Sequence, residues 1–288
     1  MGWCQNLRNM GVKMRIPSVV LLAVLGLAAC SSGPPLPEPG SPASFWMDAR
    51  RSYKAGDLVK TDSTLLELTR GSNEFAAKAR VWHLVVAAGL SRGFSELADA
   101  YDAGARMNLT SPLRFHNQAI ELRSMAASAA LEFTEAMKQT VDCDPEGNVH
   151  LVFGPPGGEV TEPANLAKIS MGVWLTDVER EGLRTAMGQR GVLLALSRAV
   201  GNPDDPVAAI TTMKAPDARV AHETFTFQMA KLLYEVSDLF GPQRMARPNR
   251  QLTLCEQARA ALESIPQNTE TKALADQIEE TVRKLRAS

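Results

Sequence analysis

The chain has few of the residues that announce chemistry by composition. Only 6 % of its 288 residues are aromatic, and it holds four cysteines and four histidines. Four cysteines are too few for a disulfide-built scaffold. Basic and acidic residues nearly cancel, 31 against 32, which excludes the strongly basic face of a general nucleic-acid binder. No apolar run reaches the roughly 20 residues of a membrane-spanning helix; the run at 16–29 is shorter and broken by Pro17, Ser18 and Gly26. Catalytic signatures are as scarce. There is no Gly-x-Ser-x-Gly nucleophile elbow, and His222-Glu223 lacks the second histidine of a zinc-protease helix. The four histidines, at 83, 116, 150 and 222, show no pair at metal-ligand spacing. Gly154-Pro155-Pro156-Gly157-Gly158 lacks the Lys-Ser/Thr of a phosphate loop and is followed by Glu159. The segment 142–147 carries Asp142, Asp144 and Glu146 at alternate positions and then Gly147, like the start of a calcium loop. Its twelfth position is Phe153 where a bidentate Glu belongs, so a Pro-Gly turn before a strand explains the segment better.

What is present begins at the N-terminus. Residues 1–29 carry Arg8, Lys13 and Arg15, no acidic residue, and then the apolar run at 16–29. A basic flank and a short apolar core that ends in small residues describe a secretory signal. Leu27-Ala28-Ala29-Cys30 closes it, and here the sequence resembles a bacterial lipoprotein with its lipobox. The resemblance implies cleavage after Ala29 and lipidation of Cys30, with Met14 (or Met10) a more ordinary start than Met1. Ser31 in place of Asp implies the outer membrane, facing the periplasm. Residues 33–42 contain five prolines, so 30–44 is expected to be an extended spacer, its stretch 31–43 reaching up to about 40 Å. Without the signal, 28 basic residues face 32 acidic ones, a moderately acidic domain attached through lipid rather than charge.

Helical spacing dominates from Phe45 onward. Helices are expected at 45–55 and 58–70, ended by Gly56 and Gly71, then at 73–89 and 93–105, divided at Gly89 and Gly93. Ser111 and Pro112 open a clearer helix whose stripe runs Phe115, Ala119, Leu122, Ala126, Ala130, Phe133, Met137, Val141. Alternation at 149–153 and 169–175 predicts two paired strands, and Thr176 with Glu179 a capping box. Further helices are expected near 191–200, 206–214, 217–240, 252–264 and 270–286. Segments 55–70 and 73–105 resemble tetratricopeptide-like hairpins through Trp82, Ala98 and Ala105, with Tyr101 one place off that pattern.

The fold expected is therefore mainly α: antiparallel, repeat-like helical hairpins over 45–141, a turn and small β insert over 142–176, and a C-terminal helical region over 177–288. Cys143 and Cys255 are a possible disulfide in an oxidising compartment. Trp82, Phe94 and Tyr101 are candidate residues of a partner groove. No catalytic residue, metal or cofactor is assigned. Glu263-Ser264 lacks the Gly-Leu-Met-Gln stretch that follows this pair in the lytic transglycosylases. The functional expectation is a lipid-anchored interaction scaffold or accessory subunit with an envelope protein partner and no nucleic acid. The alternatives are a carrier of small molecules or lipids and an envelope hydrolase.

Overall fold

Helix caps and glycine turns set the path of the chain. In the computed structural model, residues 36–139, 141–156, 163–202, 207, 211 and 218–287 are described. The expected signal peptide, Cys30, residues 31–35 of the spacer, and all of the 206–214 helix but Val207 and Thr211 lie outside them, while the end of the expected spacer, from Pro42, is already helical rather than extended. Residues 1–38 and 39–288 are separate units, and the helices and sheet of the described residues belong to the second.

Ser41 caps α1 (Pro42–Ala55), which ends at Gly56 in the left-handed conformation. Gly56 N–H bonds to Tyr53 and Asp57 N–H to Ser52, a Schellman turn that only glycine enters without strain. Asp57 then accepts from Lys60 N–H and starts α2 (Leu58–Thr69), completing the first antiparallel hairpin. α3 (Ala76–Met107) pairs with α4 (Pro112–Ala136) in the second. Ser111 is the N-cap of α4 as expected, though its side chain makes no cap bond; Asn108 Oδ1 accepts from the backbone N–H of Thr110 and Ser111 and so holds the turn before the helix. The expected α4 stripe is fully buried from Phe115 to Phe133.

α3 corrects the expected break between two helices. It is one helix of 32 residues, and Gly89 and Gly93 lie inside it. They permit a close crossing with α6 (Asp177–Ala199): a Cβ on Gly89 would overlap the Val192 backbone, and one on Gly93 the Met187 carbonyl. Gly191 completes the notch, since a Cβ there would overlap the Gly89 carbonyl. These glycines are packing devices rather than helix stops, so segment 73–105 is not itself a hairpin. α6 opens with the expected Thr176/Glu179 capping box and continues through the helix expected near 191–200.

A two-stranded antiparallel sheet is present, with a different partner from the one expected. β1 (Asn148–Leu151) pairs with β2 (Ala218–Ala221), Val149 opposite Val220. The predicted strand at 169–175 is instead the end of α5 (Ala164–Ser170), a Schellman turn at Gly172, and an extended run. The alternation is only apparent: Ile169 faces the core from the end of the helix and Leu175 from the extended run, while Met171, the helix C-cap, and Val173 between them are exposed. β2 likewise replaces the first turn expected of the 217–240 helix, leaving α7 (His222–Ser237) and a short 3-10 turn, Asp238–Phe240. α8 (Pro248–Glu263) and α9 (Thr269–Ala287) close the chain. One core runs through residues 39–288, from Ala49 to Val282. No helix among the described residues is long and apolar enough to cross a membrane.

Candidate functional site

A trough crosses the face where α2, α3, α4 and α6 meet. It consists of two hollows of about 560 and 280 Å³ that share Val59, Leu90, Phe94 and Met125. The α1–α2 turn and the first half of α6 bound the larger hollow, and α2 and α4 the smaller. The α3 glycine notch brings α6 against α3, so Gly188 lines the trough beside Leu90 and Phe94. These shared side chains are apolar, and the charged residues of the lining are Asp57, Asp62, Glu132 and Glu181 against one cation, Arg184. Arg184 is already paired with Glu181 at 2.7 Å.

A buried polar cluster stands in the wall of the smaller hollow. His83 on α3 is 2 % exposed and Asp62 on α2 4 % exposed. His83 Nδ1 donates to Asp62 Oδ1 at 2.8 Å. Glu132 on α4 reaches the same carboxylate and shares a hydrogen bond with it. Burial pushes the Glu132 carboxyl up to about 7, and the hydrogen bond and charge of Asp62 add to the shift, with His83 and Arg70 acting against it. Glu132 therefore keeps its proton to a higher pH than an ordinary carboxyl, and the protonated form donates it to Asp62. One ligand atom from each of Asp62, His83 and Glu132 lies within 4.8 Å of the others, a donor set that Zn²⁺ can accept. The existing hydrogen bonds already account for the arrangement: Asp62 accepts from both neighbours, and a cation would have to displace the shared proton. What the cluster can do by itself is bind three helices together and hold a proton beside a solvent-facing hollow.

Of the residues expected to line a groove, only Phe94 does so. Trp82 and Tyr101 are core residues. Trp82 stacks on Phe153 at 4.8 Å and meets Tyr53 edge-on, which ties the β segment to α1 and α3. Tyr101 packs against Phe115 and Trp174. Large rings on a central helix are drawn inward by the area they bury, and α3 is covered on several sides. The possible disulfide is not formed. Cys143 is an exposed thiol in the loop before β1, and Cys255 is buried in α8, where it donates to Ser237 Oγ at 3.4 Å. The 142–147 segment is the turn that its Pro-Gly pattern suggests. Asp144 accepts from the backbone N–H of Asn148 and Glu146 and from His150 Nε2. The Asn148 N–H chiefly holds its carboxyl down at about 2.

The Asp62–His83–Glu132 cluster escaped the sequence because its members lie 21 and 49 positions apart on three helices. The one available signal was polar character on faces that otherwise read as core: Asp62 within the α2 apolar face, and His83 beside Trp82. Comparison with protein-family models, curated proteins and solved structures gives no match for this chain.

Proposed function

We propose that the protein is a lipid-anchored, periplasm-facing scaffold or accessory subunit that holds an apolar segment carrying basic residues, contributed by an envelope protein partner. The trough carries this reading: apolar side chains of Val59, Leu90, Phe94 and Met125 run through both hollows, with Asp57, Asp62 and Glu132 in the lining and its one cation, Arg184, already paired with Glu181. Apolar contact supplies attraction, and the acidic lining selects a basic partner. The lipobox at 27–30 and the proline-rich spacer support attachment through Cys30 to the outer membrane. The test is capture of the full-length, anchored chain from detergent-solubilised envelopes, alongside a Val59→Lys/Glu181→Lys variant. A stoichiometric protein partner retained by the native chain and lost from the variant supports the reading. Equal recovery from both, or no partner, removes it.

The Glu132–Asp62 pair favours a second reading, an envelope hydrolase in which Glu132 is the proton donor. Release of soluble fragments from isolated cell-wall polymer, abolished by Glu132→Gln, would establish it. Partner capture that survives Glu132→Gln with no such release leaves the scaffold reading in place.

A further inference from the structure

One end of the helical bundle has a composition unlike the rest. The turn between α3 and α4 exposes Met107, Leu109 and Leu113, with Leu109 91 % exposed. The turn after α5 exposes Met171 and Val173. The two turns are neighbours: Asn108 Nδ2 donates to the Gly172 carbonyl at 2.8 Å, and Gly172 packs against the backbone between Met107 and Asn108. The five apolar side chains therefore form one tip. It has a firm frame, because Asn108 also ties down Thr110 and Ser111, and Trp174 rests edge-on against Phe115 at 5.0 Å.

The charges at this tip have one sign. Residues 106–114 and 164–176 contain Arg106, Arg114 and Lys168 and no Asp or Glu. All three cations are exposed, and none forms an ion pair among the described residues. Arg114 lies over the Trp174 ring, 4.5 Å from its centre, with Arg180 also 4.5 Å from it. The carboxylates on flanking elements are engaged: Asp102 by Arg123, Asp177 by Arg180, and Glu179 by the Thr176 cap, from which it faces Lys168. Exposed Met, Leu and Val beside a half-buried Trp and three exposed cations match the chemistry of a bilayer interface. Such a surface accepts apolar side chains below the headgroups and cations at anionic phosphates.

We infer that this tip, residues 107–113 and 171–174, docks onto an anionic lipid surface. The tip is a second contact, independent of Cys30 and of the trough. It would fix the orientation of the domain on the membrane, which a proline-rich tether alone does not do. Two weak signals together give more stable attachment than one.

Residues 39–288 contain the core formed by the described residues, so the tip can be tested on that segment without the N-terminal unit. The segment is sedimented with vesicles of phosphatidylethanolamine and phosphatidylglycerol, and with phosphatidylcholine vesicles as the uncharged comparison. Binding is expected to the anionic vesicles, weakened at high salt by screening, with Trp174 fluorescence quenched by brominated lipid. Leu109→Asp/Met171→Asp is expected to lower binding by about tenfold or more, since each places a charge where an apolar side chain meets lipid. Leu109→Asp alone, at a side chain almost free of contacts, keeps the fold and still weakens binding by about threefold or more. Ile120→Asp, at an exposed position on α4 outside the tip, leaves binding unchanged. Absence of binding to anionic vesicles, or binding unaffected by the tip substitutions, overturns the inference. So does a dimer in sedimentation velocity that the same substitutions dissolve, which would assign the tip to a protein contact. None of these outcomes involves the trough, whose Val59→Lys/Glu181→Lys variant is expected to bind vesicles like the native segment.

Discussion

Replacing Glu132 by Gln should stabilise the protein, and increasingly so as the pH rises. The Glu132 carboxyl has its folded pKa raised from 4.5 to about 7, chiefly by burial. A group raised in this way contributes its full stability below about pH 4.5 and loses it progressively up to about pH 7, because across that window the folded chain holds a proton that the unfolded chain has released. The difference between 4.5 and about 7 corresponds to about 3 kcal/mol. Glu132 is only partly buried, and solvent screening reduces the effect to about 1–2 kcal/mol. Gln keeps the shape and the donor toward Asp62 but does not ionise. Glu132→Gln should therefore melt with the native chain near pH 4.5 and about 3–6 °C above it near pH 8, followed by circular dichroism in matched buffers. A variant that melts below the native chain at every pH would refute the argument. The carboxylate charge itself would then be needed, as it is when it ligates a cation.

Three further outcomes are expected from the packing. His83→Leu removes a donor from the buried Asp62 and should cost about 2–4 kcal/mol in urea unfolding, with the slope unchanged. Gly93→Ala forces α3 away from the Met187 carbonyl of α6 and should cost about 2–3 kcal/mol, although Ala is the better helix former; a rise in stability would contradict the notch. In the native segment 39–288, Cys143 should react with a thiol reagent while Cys255 reacts only on unfolding. The Cys143 reaction should be slower than that of an ordinary exposed thiol, because burial first, and then the Asp144 and Asp142 charges, push its thiol up. Mass spectrometry after alkylation counts both, and a non-reactive pair would restore the disulfide.

The local signals in the chain proved readable where one residue type had one structural use. Gly56 ends α1, Thr176 and Glu179 box the start of α6, and the Phe115–Phe133 stripe is buried as its spacing requires. Glycine misled where it had two uses. Gly89 and Gly93 punctuate nothing; they make room for Val192 and Met187, whose place opposite them is decided by tertiary packing 94–103 positions away. The strand partner was misplaced for a similar reason. Residues 169–175 mimic alternation across a Schellman turn, whereas Ala218–Ala221, too short to stand out, supplies the ladder. The candidate site was hardly legible at all. Phe94 alone was picked out, because the trough is lined from several helices at once, and that convergence leaves no periodic mark on any one of them.

The central claim, that the trough holds a segment of a partner, is tested most directly by a photo-crosslinking residue. It is placed at Val59, 51 % exposed and shared by both hollows, in the full-length anchored chain. The matched control is Ile120, 53 % exposed and outside the trough. Irradiation of intact cells should join Val59, and not Ile120, to one discrete partner, with the adduct on a segment of that partner that combines apolar and basic residues. Equal adducts from both positions, or none from Val59, would contradict the account.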